Sequence, residues 1–286
     1  MTNRALVVLV LLAGGAVLAA CGGGGVSADS VADAATKTSN VKSYRVATTT
    51  TLKLPSSSRE VTFRGDGVFD PSGRRGRMQL DLSELNQVLG PQGSPYNFGH
   101  VQLVMHGPDM YMRIPFLKQA APSLKPWVKI NLEQAGRAQG IDFSSFLQFG
   151  QGGNPTQSLE YLRGVGKVTK VGTEDVRGVS TTHYKATIDL TKVADKAPAK
   201  SRASLRRSLN RVIALTGQRK IPTEIWIDDH GLVRRESYEE NLSIQGVKTA
   251  ISASMDLYGF GGPVVAPIPP ASSVTDLSGV AAGAQS

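Results

Sequence analysis

Apolar and polar residues alternate along much of the chain, with the period of two that a half-buried strand requires. In VKSYRVATTTTLKL, Tyr44, Val46, Thr48, Thr50, Leu52 and Leu54 share one parity, and Arg45, Thr49, Thr51 and Lys53 take the other. Pro55-Ser56-Ser57-Ser58 reads as a turn, EVTFRGDGVFD as a second strand and Pro71-Ser72-Gly73 as a second turn. GRMQLDL sets Met78, Leu80 and Leu82 against Arg77, Gln79 and Asp81. HVQLVMH and MYMRI flank Gly107-Pro108-Asp109, with Met110, Met112 and Ile114 on one side, and WVKINL (Trp127 to Leu132) follows. Short half-apolar strands joined by turns predict an antiparallel meander with one dry face.

The period changes in four places. Ser30 to Asn40 is alanine-rich, opens with residues that can cap a helix, and predicts a short one. Asp142 to Phe149 (DFSSFLQF) brings Phe143, Phe146 and Leu147 to helical spacing, and a further short helix begins at Pro155. Ala199 to Thr216 carries an apolar stripe of Leu205, Leu209, Val212 and Ile213. These helices would cover the dry face. Around them the strands return: Val165 to Leu190 with a turn at Asp175–Gly178, then IPTEIWIDD and LVRRESYEENLSI joined at Asp229-His230-Gly231, then VKTAISASMDLYGF. From Pro263 on, the composition predicts a strap and then a flexible tail. About nine to eleven strands make a sheet wide enough to curl. The expected fold is α+β: a curved antiparallel half-barrel with helices packed in its concave side. Its interior is either filled by side chains or hollow enough for an apolar guest. Met78, Met105, Met110, Met112 and Met255, with Phe143, Phe146 and Leu147, are the candidates to line such a cavity, because methionine adapts to irregular partners. Ordinary core packing is the other reading of the same residues.

The N-terminus has a different logic. After Arg4, the sixteen residues from Ala5 to Ala20 are all Ala, Val, Leu and Gly, short for a membrane span and suited to a signal peptide. The run ends in LAAC, which resembles the bacterial lipobox. That resemblance implies removal of residues 1–20 and acylation of Cys21, which is the only cysteine. Residues 21–29, with four consecutive glycines, form a flexible linker, 30–270 the folded domain and 271–286 the tail. Two acyl chains would anchor the protein stably to the extracytoplasmic face of the cell membrane. The net charge of +9 favours anionic partners, which outside a cell are lipid headgroups and wall polymers rather than nucleic acid.

A search for catalytic chemistry finds none. His100 and His106 are six apart on one strand, about 20 Å along it and too far for one metal. His183 points opposite Tyr184 and is expected to face solvent; His230 lies in a turn. Asp228-Asp229 lacks the remaining ligands of a calcium loop. The serines lack a nucleophile-elbow context, and Gly150-Gln151-Gly152-Gly153 lacks the lysine of a phosphate loop. The chain therefore reads as neither an enzyme nor a metal or cofactor protein. The basic cluster Lys196, Lys200, Arg202, Arg206, Arg207, Arg211, Arg219 and Lys220 is either a solvated helix face or a surface for anionic headgroups.

VGTEDVRGVSTTHYKATIDL, EIWIDDHGLVRRESYE and WVKINL resemble the actinobacterial lipoproteins of the LppX/LprG type, relatives of the periplasmic carrier LolA. The likeness runs from about Ser30 to Ser278. It implies a half-barrel whose hydrophobic interior binds an acylated lipid or glycolipid and carries it between envelope sites, with an envelope transporter as a possible partner. The alternative function is a structural or interaction lipoprotein with a filled core that docks an envelope partner.

Overall fold

The computed structural model describes residues 28–53, 60–70, 74–87, 97–134, 166–196, 199–244 and 247–278. Helix α1 (Ala28–Ser39) leads into six strands: β1 (Tyr44–Lys53), β2 (Glu60–Asp70), β3 (Arg75–Asp81), β4 (His100–His106), β5 (Asp109–Arg113) and, after α2 (Pro115–Ala120), β6 (Trp127–Asn131). The second half comprises β7 (Val168–Val176), β8 (Val179–Asp189), α3 (Leu190–Lys196), α4 (Ala199–Thr216), β9 (Lys220–Asp228), β10 (Val233–Ile244), β11 (Val247–Tyr258) and β12 (Val274–Asp276). The helices at 142–149 and from Pro155 lie outside the described residues.

The twelve strands of the described residues form one sheet, in the order β12-β6-β5-β4-β3-β2-β1-β11-β10-β9-β8-β7. Two meanders meet where β1 pairs with β11, and the sheet stays open, with β12 and β7 at its edges. Every neighbouring pair is antiparallel except β12 with β6. The α+β half-barrel class expected from the sequence is the one observed. The strand that the periodicity missed is β12, inside the expected tail. At three residues it is too short to show a period, and it is held by its partner instead: Leu277 donates its N–H to Lys129 at 2.9 Å and Asp276 pairs with Lys129 at 2.6 Å.

Opposed residues in an antiparallel ladder share a face. Val46 faces Leu257 and Thr48 faces Met255 on one side; across β2, β3, β4 and β5 the same face continues through Gly67, Met78, Leu103 and Met112. This inner face receives the helices. Val31, Ala34 and Ala35 of α1, Leu190 and Val193 of α3, and Leu205 and Leu209 of α4 pack with Tyr44, Val46, Ile188, Ile225, Val233 and Leu257 into one buried cluster. The helices lie over β8, β9 and β10. Thr38 locks α1 in place: its hydroxyl donates to the Ala34 carbonyl at 2.7 Å and accepts the Val233 N–H at 2.8 Å. Tyr44 is fully enclosed, and burial pushes its hydroxyl pKa well above the ordinary range.

Three inner-face glycines let atoms of neighbouring strands close over the backbone. A Cβ at Gly65 would lie 2.5 Å from Leu80 Cδ2, and one at Gly76 would lie 2.3 Å from the Phe69 ring. A Cβ at Gly67 would meet the Arg77 carbonyl at 2.6 Å, a backbone atom that cannot swing aside. Side chains from neighbouring strands thus fill the space above bare backbone, which is how glycine lets a wide sheet bend. Gly67→Ala is expected to destabilise the fold by about 1–3 kcal/mol through overpacking. Gly172→Ala, whose Cβ would meet nothing within 4 Å, is expected to stay within about 0.5 kcal/mol. Thermal unfolding of the two variants checks the contrast.

Candidate ligand-binding faces

The register gathers four of the expected cavity residues. Met78 faces Leu103, Leu103 faces Met112, and Met105 faces Met110, so Met78, Met105, Met110 and Met112 form one patch on the inner face of β3–β5. Val128 and Ile130 of β6 extend it. All four methionines are half-buried. Met255 is set apart: it lies across β1 and packs against the helix-covered cluster. Phe143, Phe146, Leu147 and Cys21 lie outside the described residues.

The outer face is polar, and over β7–β11 its side chains are knitted together. His183 does point away from Tyr184, but it is 5% exposed rather than solvent-facing. Its ring stacks on Trp226 at 4.2 Å and an interplanar angle of 9°. Nδ1 lies 2.9 Å from Glu174 Oε1 and Nε2 lies 2.7 Å from Glu224 Oε2, so carboxylates from the two flanking strands bracket the imidazole. The Trp226 indole N–H donates to the other Glu174 oxygen at 2.8 Å. That bond first, then the one from His183, holds the Glu174 carboxyl below its usual pKa. Alternation alone could not show this burial, because the covering groups come from β7 and β9. The two ring nitrogens point in opposite directions, so His183 and its carboxylates share no metal centre; among the described residues no group of three potential ligands converges. Further along, Asp256 accepts from Arg235 and Arg177. Burial opposes its ionisation, but the two guanidiniums outweigh that and keep its pKa low. Asp228 anchors the β9–β10 turn, accepting from the Leu232 N–H at 2.8 Å and from Arg234 at 2.6 Å. Of the basic cluster, Arg202, Arg206 and Arg207 are exposed on α4, and Arg206 pairs with Asp195.

The sequence reading missed a groove on the outer face. Residues 263–270 run as a strap from β11 to β12, and beneath them is a cavity of about 650 Å³. Its walls include Arg45, Val68, Arg77, Val104, Trp127 and Ile268. Of the expected cavity residues that are described, only Met78 borders it, and by register the Met78 side chain belongs to the opposite face. The strap is tied at its ends. Gly261 donates its N–H to the Ser43 carbonyl at 2.9 Å, and Asp276 accepts from Lys129 and from the Ser278 hydroxyl and N–H. The signal for the groove was present only as composition: a proline-rich run after the last long strand.

Lys129 first, then Ser278, hold the Asp276 carboxyl down to about 2, from an ordinary value of 3.8. A carboxylate with a lowered folded-state pKa contributes stability above its ordinary value and loses it as pH falls through the folded one. The latch is therefore expected to be fully made above about pH 4 and to open as the pH drops through about 2. Hydrogen exchange at Leu277 and Ser278 should accelerate, relative to the β1–β2 amides, over that window. Asp276→Asn should produce the same local loss at neutral pH. In the bracketed site, His183→Ala is expected to cost about 2–4 kcal/mol through the lost ring stack and the void beneath Trp226, measured by denaturant unfolding.

No family model matches the chain. A protein of Streptomyces griseus, described as an uncharacterized 31.2 kDa protein in the rplA-rplJ intergenic region, is 26% identical over 182 residues. The match covers 63% of this chain and spans 57% of the length of that relative. Among solved structures, LprF from Mycobacterium bovis is similar at 16% identity and a TM-score of 0.46, over 85% of this chain and 96% of that one. The lipoprotein LppX from Mycobacterium tuberculosis is similar at 17% identity and the same TM-score of 0.46, over 84% and 96%. A LolA superfamily protein from Nitrosomonas europaea is similar at 12% identity and a TM-score of 0.29, over 85% and 96%. At scores this low the likenesses bear no functional weight. The chain is similar to LppX/LprG-type lipoproteins, the group its own motifs resemble.

Proposed function

We propose that the protein is a membrane-anchored extracytoplasmic lipoprotein that binds an acylated lipid or glycolipid on its inner sheet face and carries it, without catalysing a reaction. The supporting observation is the contiguous patch of Met78, Met105, Met110 and Met112, half-buried on strands away from those that α1, α3 and α4 cover. Methionine side chains are unbranched and polarisable, and they repack around acyl chains of differing shape. The energetics suit a carrier. About thirty methylenes gain roughly 24 kcal/mol on leaving water, and a bilayer offers nearly the same, so exchange between membrane and protein runs close to balance. The tether rests on LAAC and Cys21. Among the described residues no helix is long and apolar enough to cross a membrane. A second reading, a structural or interaction lipoprotein with a filled core that docks an envelope transporter or other partner, is favoured by the helix-covered half. Val31, Val193, Ile225 and Val233 there are 0% exposed.

Native mass spectrometry of the protein carrying Cys21→Ser separates the two. The carrier reading expects lipid masses to co-purify or to be taken up from vesicles. It also expects the double change Met105→Glu and Met112→Glu, which places charge in the patch, to lower uptake about tenfold or more. A lipid-free protein that takes up nothing favours the second reading.

A further inference from the structure

The groove beneath the strap is independent of the inner-face reading because it lies on the other side of the sheet. Its floor follows one cross-strand row. Tyr258 of β11 faces Arg45, Arg45 faces Val68, Val68 faces Arg77, and Arg77 faces Val104. Cation and apolar residue thus alternate in the direction the strap crosses. Arg45 and Arg77 stand two strand spacings apart, about 10 Å. Both are exposed, and among the described residues neither has an ion-pair or hydrogen-bond partner. The outer-face arginines Arg177 and Arg235, by contrast, are both engaged by Asp256.

The strap is hydrogen-bonded at its ends and not in its middle. Among the described residues, 263–269 form no hydrogen bond to the sheet, and Pro263, Pro267 and Pro269 have no N–H to offer. Gly259 and Gly261, at φ 58° and 78°, take the chain off β11 in a conformation that suits glycine. Val265 and Ile268 of the strap are 61% and 46% exposed, apolar surface that a chain in the groove would cover. A volume of about 650 Å³ falls within the range of small-molecule sites.

We propose that this groove binds a single-chain anionic amphiphile, its carboxylate or phosphate held by Arg45 and Arg77 and its chain running between Val68, Val104 and Ile268 under the strap. Guanidinium forks match such anions in charge and in planar geometry. Asp66, on the neighbouring row, disfavours a second negative group and so a multiply acidic ligand.

The test uses the full chain with Cys21→Ser and a dansyl-labelled undecanoic acid. Trp127 and Trp226 are the only two tryptophans; Trp226→Phe leaves Trp127, on the groove wall, as sole energy donor. Binding is expected to appear as energy transfer from Trp127 to dansyl. Arg45→Gln with Arg77→Gln should weaken it about tenfold, and Ile268→Ser should weaken it with both arginines present. The methyl ester of the probe should bind wild type no better than the double variant. Unchanged circular dichroism and melting would show that these exposed substitutions leave the fold intact. Lysophosphatidic acid displacing the probe as well as a free fatty acid does would assign the recognised group to any lipid anion; displacement by the fatty acid alone would assign it to carboxylate. Binding that survives loss of both arginines, or that is abolished instead by Met105→Glu and Met112→Glu, overturns the proposal. Displacement by an extended acidic peptide but by neither lipid overturns it too.

Discussion

A β-strand sends successive side chains to opposite faces, so strands paired in strict register build two walls of different character. Here the twelve strands of the described residues pair into one open sheet, with register shifts in the β7–β8 and β9–β10 pairings. The apolar wall has to be hidden from water, and the polar wall has to satisfy its own charges. Most of the molecule follows from those two demands. Helices α1, α3 and α4 meet the first over β8–β10, where side chains interlock around Ile225 and Val233. The wall of β3–β6 carries methionine, leucine and isoleucine that stay partly accessible, beside the buried Val101 and Val128. In the proposed carrier, acyl chains complete what the helices begin.

The polar wall is held by groups that reach sideways. The imidazole of His183 is bracketed by carboxylates from both neighbouring strands, and Asp256 gathers two arginines. These contacts link β7 through β11 across the outer face. On β1–β6 the cross-links include exposed pairs such as Lys53 with Glu60 and His100 with Asp81, and the strap crosses this face as well, anchored through Ser43 at one end and through Asp276 and Lys129 at the other. The molecule thus pairs a helix-filled half with a half that carries the methionine patch on one face and the groove on the other.

The sequence made the strands and the face each presents legible, because alternation survives in YRVATTTTLK and HVQLVMH whatever their neighbours do. It also placed α4, through the stripe of Leu205 and Leu209, and grouped Met78 with Met105, Met110 and Met112. It did not show that β1 joins β11, a pairing between residues some two hundred positions apart. Met255 therefore looked equivalent to the other methionines, although its nearest company is the helix-covered core. His183 was misjudged for the same reason. Parity gives its side correctly, but its burial depends on Glu174, Glu224 and Trp226, which only the pairing of β7, β8 and β9 brings to it. β12 and the groove escaped because a three-residue strand and a proline-rich strap carry no periodic signal.

In the proposed carrier, the inner wall of β3–β6 is where a lipid sits. Methyl-¹³C methionine NMR reads it directly, since the six methionines include Met78, Met105, Met110, Met112, Met255 and the initiator. On titration with a diacylated phospholipid, the resonances of Met78, Met105, Met110 and Met112 are expected to shift together and saturably, while Met255 moves little. A spectrum in which those four stay fixed through saturation, or in which Met255 alone responds, would contradict a lipid site on that wall.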